Sequence, residues 1–189
     1  MDASLDERAR RAIEPLSCAE DREYIGEPVS QLAHALQCAE LARDAGGSDH
    51  EILAALFHDI GHIAAGPDAL QMPGLGVLAH ESVGAQFLRE LGFSAEVCDL
   101  VGSHVNAKRY LAWRKASYHD ALSAASRATL ALQGGPMSAD EAVRFEQDPA
   151  FAARLRLRVW DEAAKDPARV TAGLTSYLPL IRAHLGGAS

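Results

Sequence analysis

An adjacent pair, His58-Asp59, closes the apolar run Leu53-Ala54-Ala55-Leu56-Phe57 and is followed by Gly61 and His62. Neighbouring residues on a helix diverge by about 100°. A metal beside the end of such a helix can still take a nitrogen from His58 and one carboxylate oxygen from Asp59. The second oxygen of Asp59 is then free to reach a second metal. A lone His-Asp pair is more often a cap or a surface pair, so its meaning depends on partners elsewhere. His34, His80, His104 and Asp161 could supply them. Each also has a plainer reading. His34 lies on an apolar face beside Leu32 and Ala35, where a histidine is commonly a hydrogen-bonded core residue. His80 precedes a helix and could cap it. His104 closes a helix, and Asp161 sits among arginines, which suits a salt bridge. His50, His119 and His184 lie among polar or terminal residues and read as surface histidines.

The elements that must position these groups are helices. Aromatic residues make up only 6% of the chain while Ala and Leu abound, a composition that favours packed helices over β-sandwiches. Residues 4–16 and 29–44 carry apolar positions at helical spacing, the second with Leu32, Ala35, Leu36 and Ala39 as its stripe. Gly46-Gly47 stops it, and Ser48 with Glu51 forms a capping box for the helix that ends in His58-Asp59. Residues 63–76, rich in Gly, Pro and Ala, form the longest irregular segment and could serve as a lid over a site. Helices are expected at 80–91, from Ser94 to about Val105, over most of 108–133, from Pro149 to about Lys165, and at 172–185. Ser138 and Glu141 make a second capping box after Gly134-Gly135-Pro136. No strand pattern of useful length, repeat or low-complexity linker is present, and 189 residues suffice for one domain with a sizeable core.

A formal net charge of −8 argues against non-specific binding to nucleic acid or to an anionic membrane, while leaving room for a local basic pocket. Cys18, Cys38 and Cys98 fit neither a disulfide framework nor a zinc knuckle and are expected as reduced thiols. The segment Met1–Arg11 is charged and lacks an apolar signal core. No run approaches the ~18 apolar residues of a membrane span. The expectation is a cytoplasmic protein with no obligate protein partner.

Taken in order, His34, His58-Asp59 and Asp161 spell His…His-Asp…Asp. This pattern resembles the HD-domain superfamily, a helical fold in which those four residues hold a divalent metal and hydrolysis of phosphate esters is the common activity. The resemblance implies an all-α bundle, one HD domain over residues 1–189. His80 and His104 add two ligands between the pair and the late Asp. Four histidines and two carboxylates are too many for one metal and suit two, with Asp59 as the bridge. One metal would have His34, His58, Asp59 and Asp161. The other would have Asp59, His80 and His104, with positions open to substrate. Imidazole and carboxylate ligands without thiolate suit iron, manganese, cobalt or zinc.

Further segments narrow the resemblance: Tyr24-Ile25-Gly26-Glu27, the run His104-Val105-Asn106-Ala107-Lys108-Arg109-Tyr110-Leu111, Ser126-Arg127-Ala128-Thr129-Leu130, Gln133-Gly134-Gly135-Pro136-Met137 and Trp160-Asp161-Glu162. Together they are similar to the mixed-valent diiron HD-domain oxygenases of organophosphonate breakdown. That resemblance implies two iron ions in the Fe(II)/Fe(III) state, O₂ as co-substrate and cleavage of the C–P bond of a 1-hydroxyphosphonate. 2-Amino-1-hydroxyethylphosphonate, giving glycine and phosphate, is the expected substrate; its trimethylammonium analogue, giving glycine betaine, and a phosphohydrolase activity are the alternatives. It also implies roles. Tyr24 would occupy the open iron when substrate is absent and withdraw with its loop. Glu27 would accept the substrate ammonium. His62, Asn106, Lys108, Ser126, Thr129 and Arg158 would meet the phosphonate.

Overall fold

Side-chain caps start the helices where the sequence places them. Ser4 accepts from the Glu7 amide and opens α1 (Leu5–Ser17), and Ser30 accepts from Ala33 and opens α2 (Gln31–Asp44). Ser48 and Glu51 form the reciprocal capping box of α3 (Asp49–Phe57). These belong to a computed structural model that describes residues 4–24 and 26–187. Ile25 of the Tyr24–Glu27 motif lies outside the described residues. The elements that follow are α4 (Gly61–Ala64), a hairpin of β1 (Gln71–Met72) and β2 (Gly76–Val77), α5 (His80–Glu90), α6 (Ala95–Arg114), α7 (Ala116–Ala121), α8 (Ala124–Leu132), α9 (Ala139–Glu146) and α10 (Phe151–Ala163). A 3-10 turn (Leu174–Tyr177) leads into α11 (Leu178–Leu185). The fold is all-α. No helix among the described residues is long and apolar enough to cross a membrane.

The core forms around α3, whose residues from Glu51 to Phe57 are all buried. Leu53, Ala54, Ala55, Leu56 and Phe57 join Leu36 and Ala39 of α2, Leu88 of α5, Val97 and Val101 of α6, and Leu157 of α10 in one apolar cluster. Burying each large aliphatic or aromatic side chain contributes roughly 1.5–3 kcal/mol. This cluster therefore fixes the ends of α2, α3, α5, α6 and α10, which carry the candidate ligands. Two smaller clusters, around Tyr110 with Phe145 and around Leu122 with Leu130, hold α8 and α9 against the far half of α6.

Three expectations change. The helix from Ser94 does not end at Val105. Nothing from Asn106 to Arg114 breaks a helix, so α6 runs on to Arg114, and His104 lies within it rather than at its close. His104 and Lys108 are thereby one turn apart on one face. The segment 63–76 is not wholly irregular. It contains the β1–β2 hairpin, with Gln71 opposite Val77. His184 is not a surface histidine, being buried and accepting the Ser94 backbone N–H at 3.0 Å.

The helix of the His-Asp pair stops at Phe57, turns through residues 58–60 and resumes as α4. Gly61 makes this possible. A β-carbon there would lie 1.9 Å from the His80 carbonyl oxygen and 2.8 Å from the Gly84 nitrogen. Only hydrogen lets α4 approach the start of α5 so closely. On the other side of that contact, Ala79 holds a left-handed conformation at φ 55°, a state that costs an alanine roughly 1–2 kcal/mol. It turns the chain directly into His80. The Gly61→Ala substitution is expected to push α5 away and destabilise the protein by about 1–3 kcal/mol, the usual cost of overpacking. Thermal unfolding followed by circular dichroism measures this; an unchanged midpoint would refute the close approach.

Candidate metal centre

The six ligand candidates converge. His34 from α2 and His58 from the end of α3 face each other with Nε2 atoms 3.0 Å apart. Asp161 of α10 brings Oδ1 to 3.4 Å from His34 Nε2 and 3.6 Å from His58 Nε2. His80 at the start of α5 and His104 in α6 form a second pair, again with Nε2 atoms 3.0 Å apart. Asp59 lies between. Its Oδ2 is 3.4 Å from His58 Nε2 and 3.8 Å from His34 Nε2, and its Oδ1 is 3.2 Å from His80 Nε2 and 3.4 Å from His104 Nε2. One carboxylate thus addresses two nitrogen pairs, one with each oxygen.

The outer nitrogens decide the tautomers. His34 Nδ1 bonds the Ala164 carbonyl at 2.8 Å, His58 Nδ1 the Ala55 carbonyl at 2.9 Å and His104 Nδ1 the Val101 carbonyl at 2.8 Å. A carbonyl only accepts, so each Nδ1 carries a proton and each Nε2 is turned inward. Burial opposes a charge on His58, but the Asp59 carboxylate, then Cys38 and Asp161, outweigh it and raise its pKa well above the ordinary value. His58 therefore carries a proton on Nε2 as well, which faces His34 Nε2 at 3.0 Å and which a metal would replace. Asp161 Oδ1 is buried with no hydrogen-bond donor. Donors of this kind, oriented by their outer hydrogen bonds, fit divalent or trivalent metal. His34, His58 and Asp59 stand close enough to hold one ion, and Asp59 with His80 and His62 could also close around one. For the second group we favour His104 over His62, because His62 Nδ1 already accepts the Val77 backbone N–H at 3.1 Å.

Charge at the site is arranged for ligation. Burial opposes ionisation of Asp161, but the Arg158 guanidinium, followed by His58, outweighs it and holds the carboxyl well below the usual range. Asp59 is held low in the same way, chiefly by His58 and His104 acting against burial. Both carboxylates are therefore ionised and ready for metal.

A cavity of about 60 Å³ opens on the His80–His104 side. Tyr24, Glu27, His62, Lys108, Ser126, Thr129 and Arg158 line it together with Asp59, His80, His104 and Asp161. Tyr24 stacks on the His34 ring, with centroids 3.9 Å apart. Burial, then the Asp59 and Asp161 carboxylates, raise its pKa, so it is a neutral phenol here. Burial, then His80, drop His62 to about 3. His62 is thus neutral, and with Nδ1 accepting from Val77 its proton sits on Nε2 as a donor. Lys108 gives a hydrogen bond to Thr129 Oγ1 at 3.0 Å. Arg158 is fully engaged: Nε bonds the Tyr118 hydroxyl at 2.7 Å, and its two terminal nitrogens bond Asp161 and Glu162. It holds Asp161 in place and presents no free cation to a ligand.

Asn106 is not brought to the site. Two residues past His104, it points away from the cavity and borders a surface groove with Ser82, Arg89, Ser103 and Arg154. The spacing signal was available: on a helix, Lys108 shares the face of His104 and Asn106 does not. Gln31, Leu75, Ala125 and Gln133 also line the cavity. Gln133 caps α8 and has both amide atoms buried without partners, so it can exchange hydrogen bonds with a guest. Its signal in the sequence was the Gln133-Gly134-Gly135-Pro136-Met137 segment, which helix spacing alone does not tie to the site.

Residues 32–144 match the model of the HD domain. The chain belongs to the HD-domain family. Among curated proteins it is 38% identical over 162 residues to the glycine-betaine-forming 1-hydroxy-2-(trimethylamino)ethylphosphonate dioxygenase of Leisingera caerulea, covering 86% of this chain and 82% of that protein. It is 42% identical over 143 residues to the hydroxymethylphosphonate dioxygenase of Gimesia maris, covering 75% and 71%. An uncharacterised protein of Acanthamoeba polyphaga mimivirus is 42% identical over 144 residues, covering 76% of this chain and 66% of that one. Homologues named as phosphonate dioxygenases support an oxygenase rather than a hydrolase.

Burial, then repulsion from Arg158, lowers Lys108 to about 8. Its protonated form, which attracts an oxyanion, is complete below that pH and is lost as pH rises through it. Affinity for a dianion beside Lys108 is therefore expected to fall above about pH 8. Lys108→Met should weaken binding and flatten the profile. Calorimetric titrations across that range would decide it, and a profile that stays sloped in the variant would refute the assignment to Lys108.

Proposed function

We propose that this protein is an O₂-dependent oxygenase that cleaves the C–P bond of a 1-hydroxyphosphonate at a pair of iron ions. The observation that carries the reading is Asp59 between two imidazole pairs, one sealed in the core and one open to a cavity with anion donors. His34, His58, Asp59 and Asp161 would hold one iron, and Asp59, His80 and His104 the other. What the iron pair supplies when bound is the redox chemistry that makes O₂ reactive toward C1. A hydrolase built on one metal needs only the first set and leaves the second imidazole pair beside Asp59, His80 with His104, without a role. We read the chain as one functional unit, because Asp161 and Tyr24 lie outside the matched stretch 32–144 yet belong to the same site.

The substrate we favour is 2-amino-1-hydroxyethylphosphonate, converted with O₂ into glycine and phosphate. Both atoms of O₂ enter the products. His62 Nε2–H, the Lys108 ammonium and the Ser126 hydroxyl would donate to phosphonate oxygens, and Thr129, bonded to Lys108, would orient it. Tyr24 closes the cavity to a volume that holds only a few waters, so substrate entry requires it to withdraw. The Glu27 carboxylate suits a primary ammonium, which donates hydrogen bonds to it. A quaternary ammonium prefers aromatic faces; among the described residues lining the cavity, Tyr24 is the one Phe, Tyr or Trp. Hydroxymethylphosphonate has no cation for Glu27 to meet.

The test is reconstitution with iron under mild reduction, followed by phosphate release from 2-amino-1-hydroxyethylphosphonate with and without O₂. Release indifferent to O₂, or confined to phosphate esters, would sink the oxygenase reading. Preference for the trimethylammonium analogue would preserve it and move the substrate. His80→Ala and His104→Ala should each bind one metal fewer than the parent and lose turnover. Retained activity in either would refute the two-metal assignment.

A further inference from the structure

Glu27 does not wait unpaired for a substrate. Its Oε1 is buried and lies 3.0 Å from Lys165 Nζ, off the direction of a good hydrogen bond. Both side chains are largely shielded, at 10% and 15% exposure. Lys165 follows the end of α10 and also bonds Glu162 Oε1 at 2.9 Å. Glu162 in turn pairs with Arg158, and Arg158 with Asp161. The chain segment that carries Glu27 is the one that carries Tyr24. Glu27 N–H bonds the Tyr24 carbonyl and Tyr24 N–H the Val29 carbonyl, each at 2.9 Å. Gly26, at φ 74°, lies against Ala125, where a β-carbon would come within 2.7 Å.

We propose that Lys165 is the latch of this segment: it holds on Glu27 the place that the substrate's cationic group takes, and it yields that place when a cationic 1-hydroxyphosphonate enters. The role assigned to the substrate rests on the function proposed above; the latch itself does not. The energetics favour an exchange of cations over a simple break. A buried ion pair that loses one partner leaves an uncompensated charge, which is strongly destabilising. Here neither charge is stranded. Lys165 keeps Glu162 when it releases Glu27, and Glu27 receives the incoming ammonium. The Tyr24 segment is thus tied shut in the absence of a cation and freed by its arrival. A substrate without an amine has nothing to offer Glu27 in exchange, so the latch also selects for the amine. Lys165 is a positioning and specificity residue and touches no reacting atom.

Amide hydrogen exchange on the metal-free protein, with no substrate present, tests the latch directly. In Lys165→Met the Tyr24 and Glu27 amides should exchange about tenfold faster, the effect of losing an interaction of about 1.4 kcal/mol. Lys165→Arg should restore the parent rate. If the Met variant loses helicity, Glu27→Gln cuts the same pair from the other side and should show the same acceleration. Unchanged exchange in a folded variant would overturn the proposal. In the iron-loaded enzyme, Lys165→Met should shift the kcat/KM ratio between 2-amino-1-hydroxyethylphosphonate and hydroxymethylphosphonate, through KM rather than kcat. A ratio that does not move would refute the exchange. If the parent turns over neither substrate, the functional reading fails while the exchange rates still decide on the latch.

Discussion

The site depends on positive charge between imidazole nitrogens that the fold forces together. Carbonyl oxygens of Ala164, Ala55 and Val101 take the outer protons of His34, His58 and His104, which turns each Nε2 inward. The His34 and His58 nitrogens, 3.0 Å apart, need a proton or a metal ion between them. The ionised carboxylates of Asp59 and Asp161 deepen the demand for a cation. Because an unfolded chain has no preformed site, binding free energy of this kind counts directly as folding free energy. The close approach at Gly61 and the strained Ala79 belong to the same arrangement. They hold the start of α5, and with it His80, beside Asp59.

A second constraint runs through the end of α10. Five residues between 161 and 166 meet there. Asp161 reaches the ligand cluster, Glu162 bridges Arg158 and Lys165, Ala164 orients His34, Lys165 holds Glu27, and Asp166 exchanges two hydrogen bonds with Gln37, at 2.8 and 3.1 Å. The helix must end at Ala163 for this to work, because a carbonyl inside a continuing helix would be committed to its own ladder. The free Ala164 carbonyl takes the outer proton of His34 and turns its Nε2 toward His58 and Asp161. Geometry of this segment therefore couples the sealed half of the metal site to the segment that covers the open half.

Most of the helix starts were legible, because Ser caps and capping boxes are local chemistry: Ser48 with Glu51 and Ser138 with Glu141 act where the sequence puts them. The six ligand candidates were legible as a set through their order, since residue types far apart in sequence can be recognised together even when each alone has a plainer reading. What local pattern could not supply was the state of each polar group. Arg158 reads as a candidate anion donor, yet Tyr118, Asp161 and Glu162 consume it, and Tyr118 comes from a distant helix. Glu27 reads as a free carboxylate, yet Lys165 pairs with it. The boundary missed at Val105 has a simpler cause: without a Gly or Pro, no local signal ends α6 before Arg114, and that extra length is what aligns Lys108 with His104.

The same accounting explains how a chain of net charge −8 can present a cavity to a dianion. Bulk charge governs long-range attraction and solubility, whereas the field inside a shielded cavity is set by which groups remain uncompensated. Asp59 and Asp161 are committed to imidazoles and Arg158, and Glu27 and Glu162 to Lys165. Among the described residues lining the cavity, Lys108 is the cation whose bonded partner, Thr129, is neutral. Its lowered proton affinity has the same origin, because burial beside Arg158 outweighs the pull of the more distant carboxylates. A dianion placed between Lys108 and the neutral donor His62 would supply the missing negative charge and return Lys108 to its protonated form. Recognition of the anion and the cost of burying an uncompensated lysine are thus one interaction seen from two sides, and the first relieves the second.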